Sequence, residues 1–263
     1  MTATMTAGLT APDTGEGPGE DLGTSVGKAL ALLRAFDSGA PTLGVSELAR
    51  RAQLPKSTAF RLLRTLEQNG FVERRGVRYA VGRSVFELGN LTWYCRPRSL
   101  RDVALPYMVE LLESTHQTVH LALLDGADVL YVEKLYHHLH VTSPSYVGGR
   151  VPAQFAAIGK AMLAASDEQA LESVPAEPWI RRTRHSAVDR SMLLAEIDRI
   201  RDEGVAFDNE EVKLGLTCVG AAITRSDGTV AGLSIAGPTG RFEPELVVSS
   251  LRRVAAAISG QLG

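Results

Sequence analysis

Residues 46–82 read SELARRAQLPKSTAFRLLRTLEQNGFVERRGVRYAVG, and their spacing decides the fold of the N-terminal third. Leu48, Ala49 and Ala52 fall on one face of a short helix that Gly44-Val45-Ser46 opens, that Ser46 can cap, and that Gln53-Leu54-Pro55 breaks. The next segment puts Ala59, Leu62, Leu63 and Leu66 at helical spacing and stops at Asn69-Gly70, a helix C-terminal signal. FVERRGVRYAVG then reads as two short strands joined at Arg75-Gly76. Upstream, Val26, Ala29, Leu30, Leu33 and Phe36 recur behind Thr24-Ser25 and predict a first helix, which Asp37-Ser38-Gly39-Ala40-Pro41 ends. Two short helices across a tight turn, followed by a β-ribbon, make the pattern of a winged helix-turn-helix.

The chemistry of that segment points to double-stranded DNA. The outward face of the third helix carries Ser57, Phe60, Arg61 and Arg64 at i, i+3, i+4 and i+7, with Lys56 and Thr58 in its first turn. Arg and Lys reach guanine edges or phosphates, hydroxyls and free amides at a helix start take phosphate, and an exposed Phe can meet a thymine methyl. Arg74, Arg75 and Arg78 place further cations on the ribbon. Residues 21–98 hold 13 Lys or Arg against 6 Asp or Glu, a net of +7, whereas residues 99–263 hold 15 against 21, a net of −6. The overall −2 therefore hides two regions with different partners.

Outside that region, the first twenty residues have too little apolar content to order, so residues 1–23 are expected as a disordered tail ahead of a DNA-binding domain over 24–83. SVFELGNLTWY is amphipathic through Val85, Phe86, Leu88, Leu91 and Trp93, which predicts a linker helix over 84–99 and an apolar surface for dimerisation. Residues 100–263 read as α+β: a helix from Leu100 to His116, a hairpin over TVHLALLDGADVLYVEKL, helices over 156–165, 167–174 and 189–203, a second hairpin joined at Asp227-Gly228, and a closing helix from Glu243 to Gln261. With 44% hydrophobic and 22% charged residues the composition is that of an ordinary globular protein. No run approaches the eighteen apolar residues of a membrane span, and the N-terminus lacks a secretory signal's basic and apolar regions, so a cytoplasmic location is expected. Two cysteines, Cys95 and Cys218, exclude a disulfide framework or a four-cysteine zinc site.

The chain resembles the IclR family of bacterial transcriptional regulators. The phrases that carry the resemblance are SELARRAQLPKSTAFRLLRTLEQNGFVERR, TVHLALLDGADVLYVEKL, GGRVPAQFAAIGKAMLA, GVAFDNEEVKLGLTCVGAAI and LSIAGP, in the family's order from Ser25 to Ser259. The resemblance implies a winged helix-turn-helix, a linker helix and a GAF-like effector-binding domain in a homodimer or dimer of dimers. It implies repression or activation of catabolic operons under control of a small organic acid; a two-fold dimer in turn predicts an imperfect palindromic operator, and no cofactor is expected. Carried over by position, the effector pocket would use the backbone amides of Ala157 and Ile158, the carboxylate of Asp208, Cys218 and Ser234. Ala236 stands where small-acid binders have a second serine, and Gln154 replaces the usual histidine. These departures favour a larger or less polar acid, aromatic acids included.

The residues support part of this pocket independently. Cys218 and Ser234 lie on two strands of one hairpin and alternation can aim both to one side, while free amides at a helix start favour a carboxylate. Asp208 opens the run Asp208-Asn209-Glu210-Glu211, which by composition alone is a solvated face. Other function classes remain: a thiol-based redox sensor using Cys218, a Cys-dependent enzyme pairing Cys218 with His120 or His185, and a metal sensor built on His137, His138 and His140. The last offers only two histidines to one strand face, where structural zinc needs four ligands.

Overall fold

In the computed structural model, which describes residues 23–36, 40–95, 99–136, 143–176, 179–225, 228 and 230–262, the chain divides into two units, Met1–Leu91 and Thr92–Gly263. The first begins with α1 (Ser25–Arg34), capped by Thr24, whose hydroxyl accepts from the Gly27 amide at 3.0 Å. Then come β1 (Leu43–Gly44), α2 (Val45–Arg51), α3 (Lys56–Gln68), β2 (Val72–Arg75), β3 (Arg78–Val81) and α4 (Arg83–Gly89). Leu32, Leu48 and Leu63, one from each of the first three helices, are fully buried and meet Val72 and Tyr79 from the ribbon. The expected tail lies outside the described residues except at Gly23.

Two details differ from the sequence expectation. Leu43 and Gly44 pair with Tyr79 and Arg78, so the ribbon is a three-stranded sheet in the order β1-β3-β2. That pairing holds Gly44 extended and makes it the N-cap of α2, so Ser46 sits inside the helix and caps nothing. Within the segment 84–99, helix covers only as far as Gly89, and turns follow through Cys95. Phe86, Leu88, Leu91 and Trp93 are all exposed, but they do not form a single helical stripe.

The second unit is built on a six-stranded antiparallel sheet. Its strands are β4 (Thr118–Asp125), β5 (Asp128–Leu135), β6 (Arg150–Pro152), β7 (Ala206–Asn209), β8 (Leu216–Thr224) and β9 (Val230–Pro238), in the order β6-β5-β4-β9-β8-β7. Alternation sorts the sheet's side chains. Val119, Leu121, Val219, Ile223, Leu233 and Ile235 face a core shared with α5 (Leu100–Thr115) and α9 (Val248–Leu262). The other face, with Ala122, packs on α6 (Ala157–Ala165), which α8 (Arg190–Glu203) flanks in turn; the short α7 (Glu168–Glu172) adds Leu171 to this second core.

One glycine decides how closely α6 seats. A Cβ on Gly220 of β8 would stand 2.7 Å from the carbonyl carbon of Ala157 and the amide nitrogen of Ile158. Only a glycine lets the helix start lie directly on the sheet.

Candidate functional site

On the first unit, α3 divides as its spacing predicts. Ala59, Leu62 and Leu63 are buried, while Lys56, Ser57, Phe60, Arg61 and Arg64 are exposed and Thr58 is half-buried. Phe60 remains 49% exposed, a large apolar ring without cover on a helix face rich in cations. The wing arginines are exposed yet braced within the protein. Arg74 Nε donates to the Gly76 carbonyl at 2.9 Å, Arg75 pairs with Glu73 at 3.4 Å, and Arg78 donates to the hydroxyl and carbonyl of Thr42 at 3.0 and 2.7 Å. These contacts fix the ribbon's shape and leave further N–H groups of each guanidinium for a phosphate.

On the second unit, Ala157, Ile158, Asp208, Cys218 and Ser234 line one cavity, together with His120, Tyr131, Ser143, Pro144, Ala156, Val212 and Leu216. Strand register brings them there. Asp208 pairs with Cys218, Cys218 with Ala236, and Ser234 with both Gly220 and His120, so His120 and Ser234, directly opposite, and Cys218, diagonal to Ser234, share the face turned to α6. The start of α6 closes another side; its first turn carries amides that precede the helix's own hydrogen bonds. Ala236, directly opposite Cys218, is fully buried but does not line the cavity, so the apolar wall comes from Ile158, Val212 and Leu216 instead.

Tyr131, and His120, which the sequence offered only as a base for Cys218, also line the cavity. His120 is 3% exposed, with Nε2 2.7 Å from the Ser145 hydroxyl and Nδ1 3.4 Å from that of Ser234. Ser145 in turn contacts the Ser143 hydroxyl at 2.6 Å and accepts from Lys134 Nζ through its carbonyl at 2.7 Å. Burial, and then the Lys134 charge, push the imidazole pKa down to about 3, so His120 is a neutral partner that ties the 143–145 segment to the sheet. A histidine within the apolar run TVHLALL was the one available sequence signal.

The acidic side of the cavity is also buried. Asp208 is 1% exposed, a residue of β7 rather than of a solvated face, and its Oδ1 accepts from the amides of Glu211 at 2.7 Å and Val212 at 3.4 Å. Burial raises its pKa to about 6 despite those bonds. Lys160 of α6 is fully buried, and its Nζ reaches Glu211 at 2.6 Å and Glu196 of α8 at 2.8 Å. Burial raises Glu211 to about 7 even with the lysine beside it. Burial and the Asp208 charge hold the Cys218 thiol well above the ordinary cysteine range. The same environment disfavours the thiolate on which a redox sensor or a cysteine-dependent enzyme relies. Among the described residues no group of three or more His, Cys, Asp or Glu could hold a metal ion; His137, His138 and His140 lie outside them. No described helix is long and apolar enough to cross a membrane.

Residues 25–76 match the IclR helix-turn-helix domain, and residues 93–260 match the C-terminal domain of the bacterial transcriptional regulator IclR. The chain belongs to the IclR family. It is 34% identical to the transcriptional regulator KdgR of Escherichia coli K12 over 255 residues, covering 91% of this chain and 93% of that one. Among solved structures it is similar to an IclR homolog from Microbacterium hydrocarbonoxydans complexed with 4-hydroxybenzoate, with a TM-score of 0.82 at 26% identity over 91% of this chain and 99% of that one. The IclR of Thermotoga maritima gives a TM-score of 0.74 at 31% identity, over 91% of this chain and 98% of that one. This IclR-family chain is accordingly a helix-turn-helix, DNA-binding transcriptional regulator, and its relatives are regulators rather than enzymes.

Proposed function

We propose that this regulator binds an imperfect palindromic operator as a homodimer, or as a dimer of dimers, and that a small organic acid in the cavity of the second unit controls that binding. The reading places it in the cytoplasm and has it govern a catabolic operon. The observation that carries it is convergence: Ala157 and Ile158 at the start of α6, Asp208, Cys218 and Ser234 come from four separate elements to one cavity. Amides at a helix start favour a carboxylate, while Ile158, Val212 and Leu216 offer apolar wall to the rest of a ligand. The exposed apolar residues Phe86, Leu88 and Leu91 supply a surface for dimerisation, and a two-fold protein presents two recognition helices to two half-sites. On α3, Lys56, Ser57, Thr58, Phe60, Arg61 and Arg64 are the residues assigned to the major groove; Arg74, Arg75 and Arg78 are assigned to the flanking backbone.

The cavity's volume is about 20 Å3, room for one water molecule. An organic acid therefore has to part its walls. The 143–145 segment forms one wall and is held through His120 and Lys134. A ligand that binds one conformation better than the other is what a switch requires. Calorimetry with a panel of acids tests the reading: aromatic and branched acids, 4-hydroxybenzoate among them, are expected to bind more tightly than glyoxylate or pyruvate. Tighter binding of glyoxylate would overturn the size argument.

A further inference from the structure

The cavity's charge is unbalanced in a way its proposed ligand aggravates. One buried ammonium, Lys160, serves two glutamates, Glu211 and Glu196, and both of its short contacts go to them. Asp208 is left with backbone amides of Glu211 and Val212 and with the Cys218 thiol as partners, none of them a cation. The Lys160 charge favours its ionised form, but by less than burial opposes it, and the other groups around it add no cation. His120 of β4 is neutral, Tyr131 of β5 is held as a phenol, Ser234 of β9 is a hydroxyl, and Arg182 faces Tyr131 and Asp128. Glu196 also meets Arg199 at 3.5 Å, and His185 lies 3.4 Å from Glu210. A carboxylate entering beside Asp208 would add a second anion to a site whose lysine is already engaged.

We propose that the effector acid enters together with a proton, which Asp208 takes up so that its neutral carboxyl donates a hydrogen bond to the effector's carboxylate. This rests on the reading of the cavity as an acid site. Two carboxyl groups sharing one proton form a short, charge-assisted bond where two carboxylates would repel. Burial has already brought Asp208 to about 6, so in the free protein at neutral pH it is ionised with a proton close at hand. The site then selects a monoanionic acid, and the regulator responds to effector and pH jointly.

The test uses the full chain and titration calorimetry with benzoate, 4-hydroxybenzoate, pyruvate and glyoxylate at pH 6, carrying the tightest binder forward to pH 7 and 8. These acids are fully ionised over that range, so any proton taken up comes to the protein. Linkage to one proton lowers the association constant by about tenfold per pH unit above 7 and makes the heats at pH 7 differ between phosphate and Tris buffers. Asp208→Asn is expected to abolish both the slope and the buffer dependence. Constant affinity from pH 6 to 8 with equal heats in the two buffers overturns the proposal while leaving the acid reading intact. Failure of every acid to bind at pH 6 overturns the acid reading, and the proposal with it. Should Asp208→Asn not fold, the buffer comparison on Glu211→Gln decides: proton uptake that persists there supports Asp208 as the acceptor, and uptake that vanishes overturns it.

Discussion

At the scale of single residues, Asp208 is a group whose environment opposes its charge. Its pKa rises from 3.8 to about 6 because burial outweighs two amide bonds, so the stability it contributes is present below pH 4 and is lost as pH rises through 6. Asp208→Asn keeps an acceptor for the Glu211 amide and removes the charge. Relative to wild type it should gain stability on going from pH 4 to pH 8, by up to about 3 kcal/mol from the size of the shift. Urea unfolding at the two pH values measures this, and an equal difference at both would contradict the assignment. On α3, Arg61→Ala should cost operator binding about 1 to 3 kcal/mol if the guanidinium reads a base, and should weaken all sequences alike if it holds phosphate. Gel shifts on operator and scrambled duplexes separate the two outcomes, and unchanged affinity on both would remove Arg61 from the interface.

At the scale of elements, the meeting of α6 with β8 and β9 builds the cavity, and Gly220 lets the start of α6 lie close on β8. Gly220→Ala would drive a methyl group into the backbone of Ala157 and Ile158, at an expected cost of about 1 to 3 kcal/mol in stability and with loss of acid binding. Unaltered unfolding and unaltered calorimetry would show that the helix start does not need that close seat. The long elements were legible in the sequence because their periodicity is strong: α3 ends at Gln68 with Asn69 as its C-cap and Gly70 at positive φ, as the Asn-Gly signal requires, and β8 and β9 pair in the expected hairpin. The short ones were not. β1 has two residues and β6 three, too few to show alternation, and both exist because a neighbouring strand offers pairing. Asp208 read as solvated because DNEE is polar by composition; what buries it is pairing of β7 with β8, a tertiary fact. His120 and Tyr131 escaped assignment to the cavity for a related reason. They reach Ser234 and Asp208 only through strand register across some hundred intervening residues.

At the scale of the whole molecule, the charge division expresses two tasks: a unit with a net positive N-terminal region for a polyanion, and a net negative remainder around a buried pocket. Neutralised phosphates release counterions, so operator binding should weaken steeply with salt. On the proposed function, occupancy of the cavity changes what the winged helix does on DNA. The most direct measurement is operator affinity, by footprinting of the region upstream of the chain's own gene at fixed salt, with and without a saturating amount of the tightest-binding acid. Protection of two half-sites and an affinity shift of at least about fivefold on adding the acid, a coupling of about 1 kcal/mol or more, are expected, with the shift lost when Ser234→Phe fills the cavity. An acid that calorimetry shows bound but that leaves the footprint and its affinity unchanged, or a shift that survives Ser234→Phe, would contradict the account.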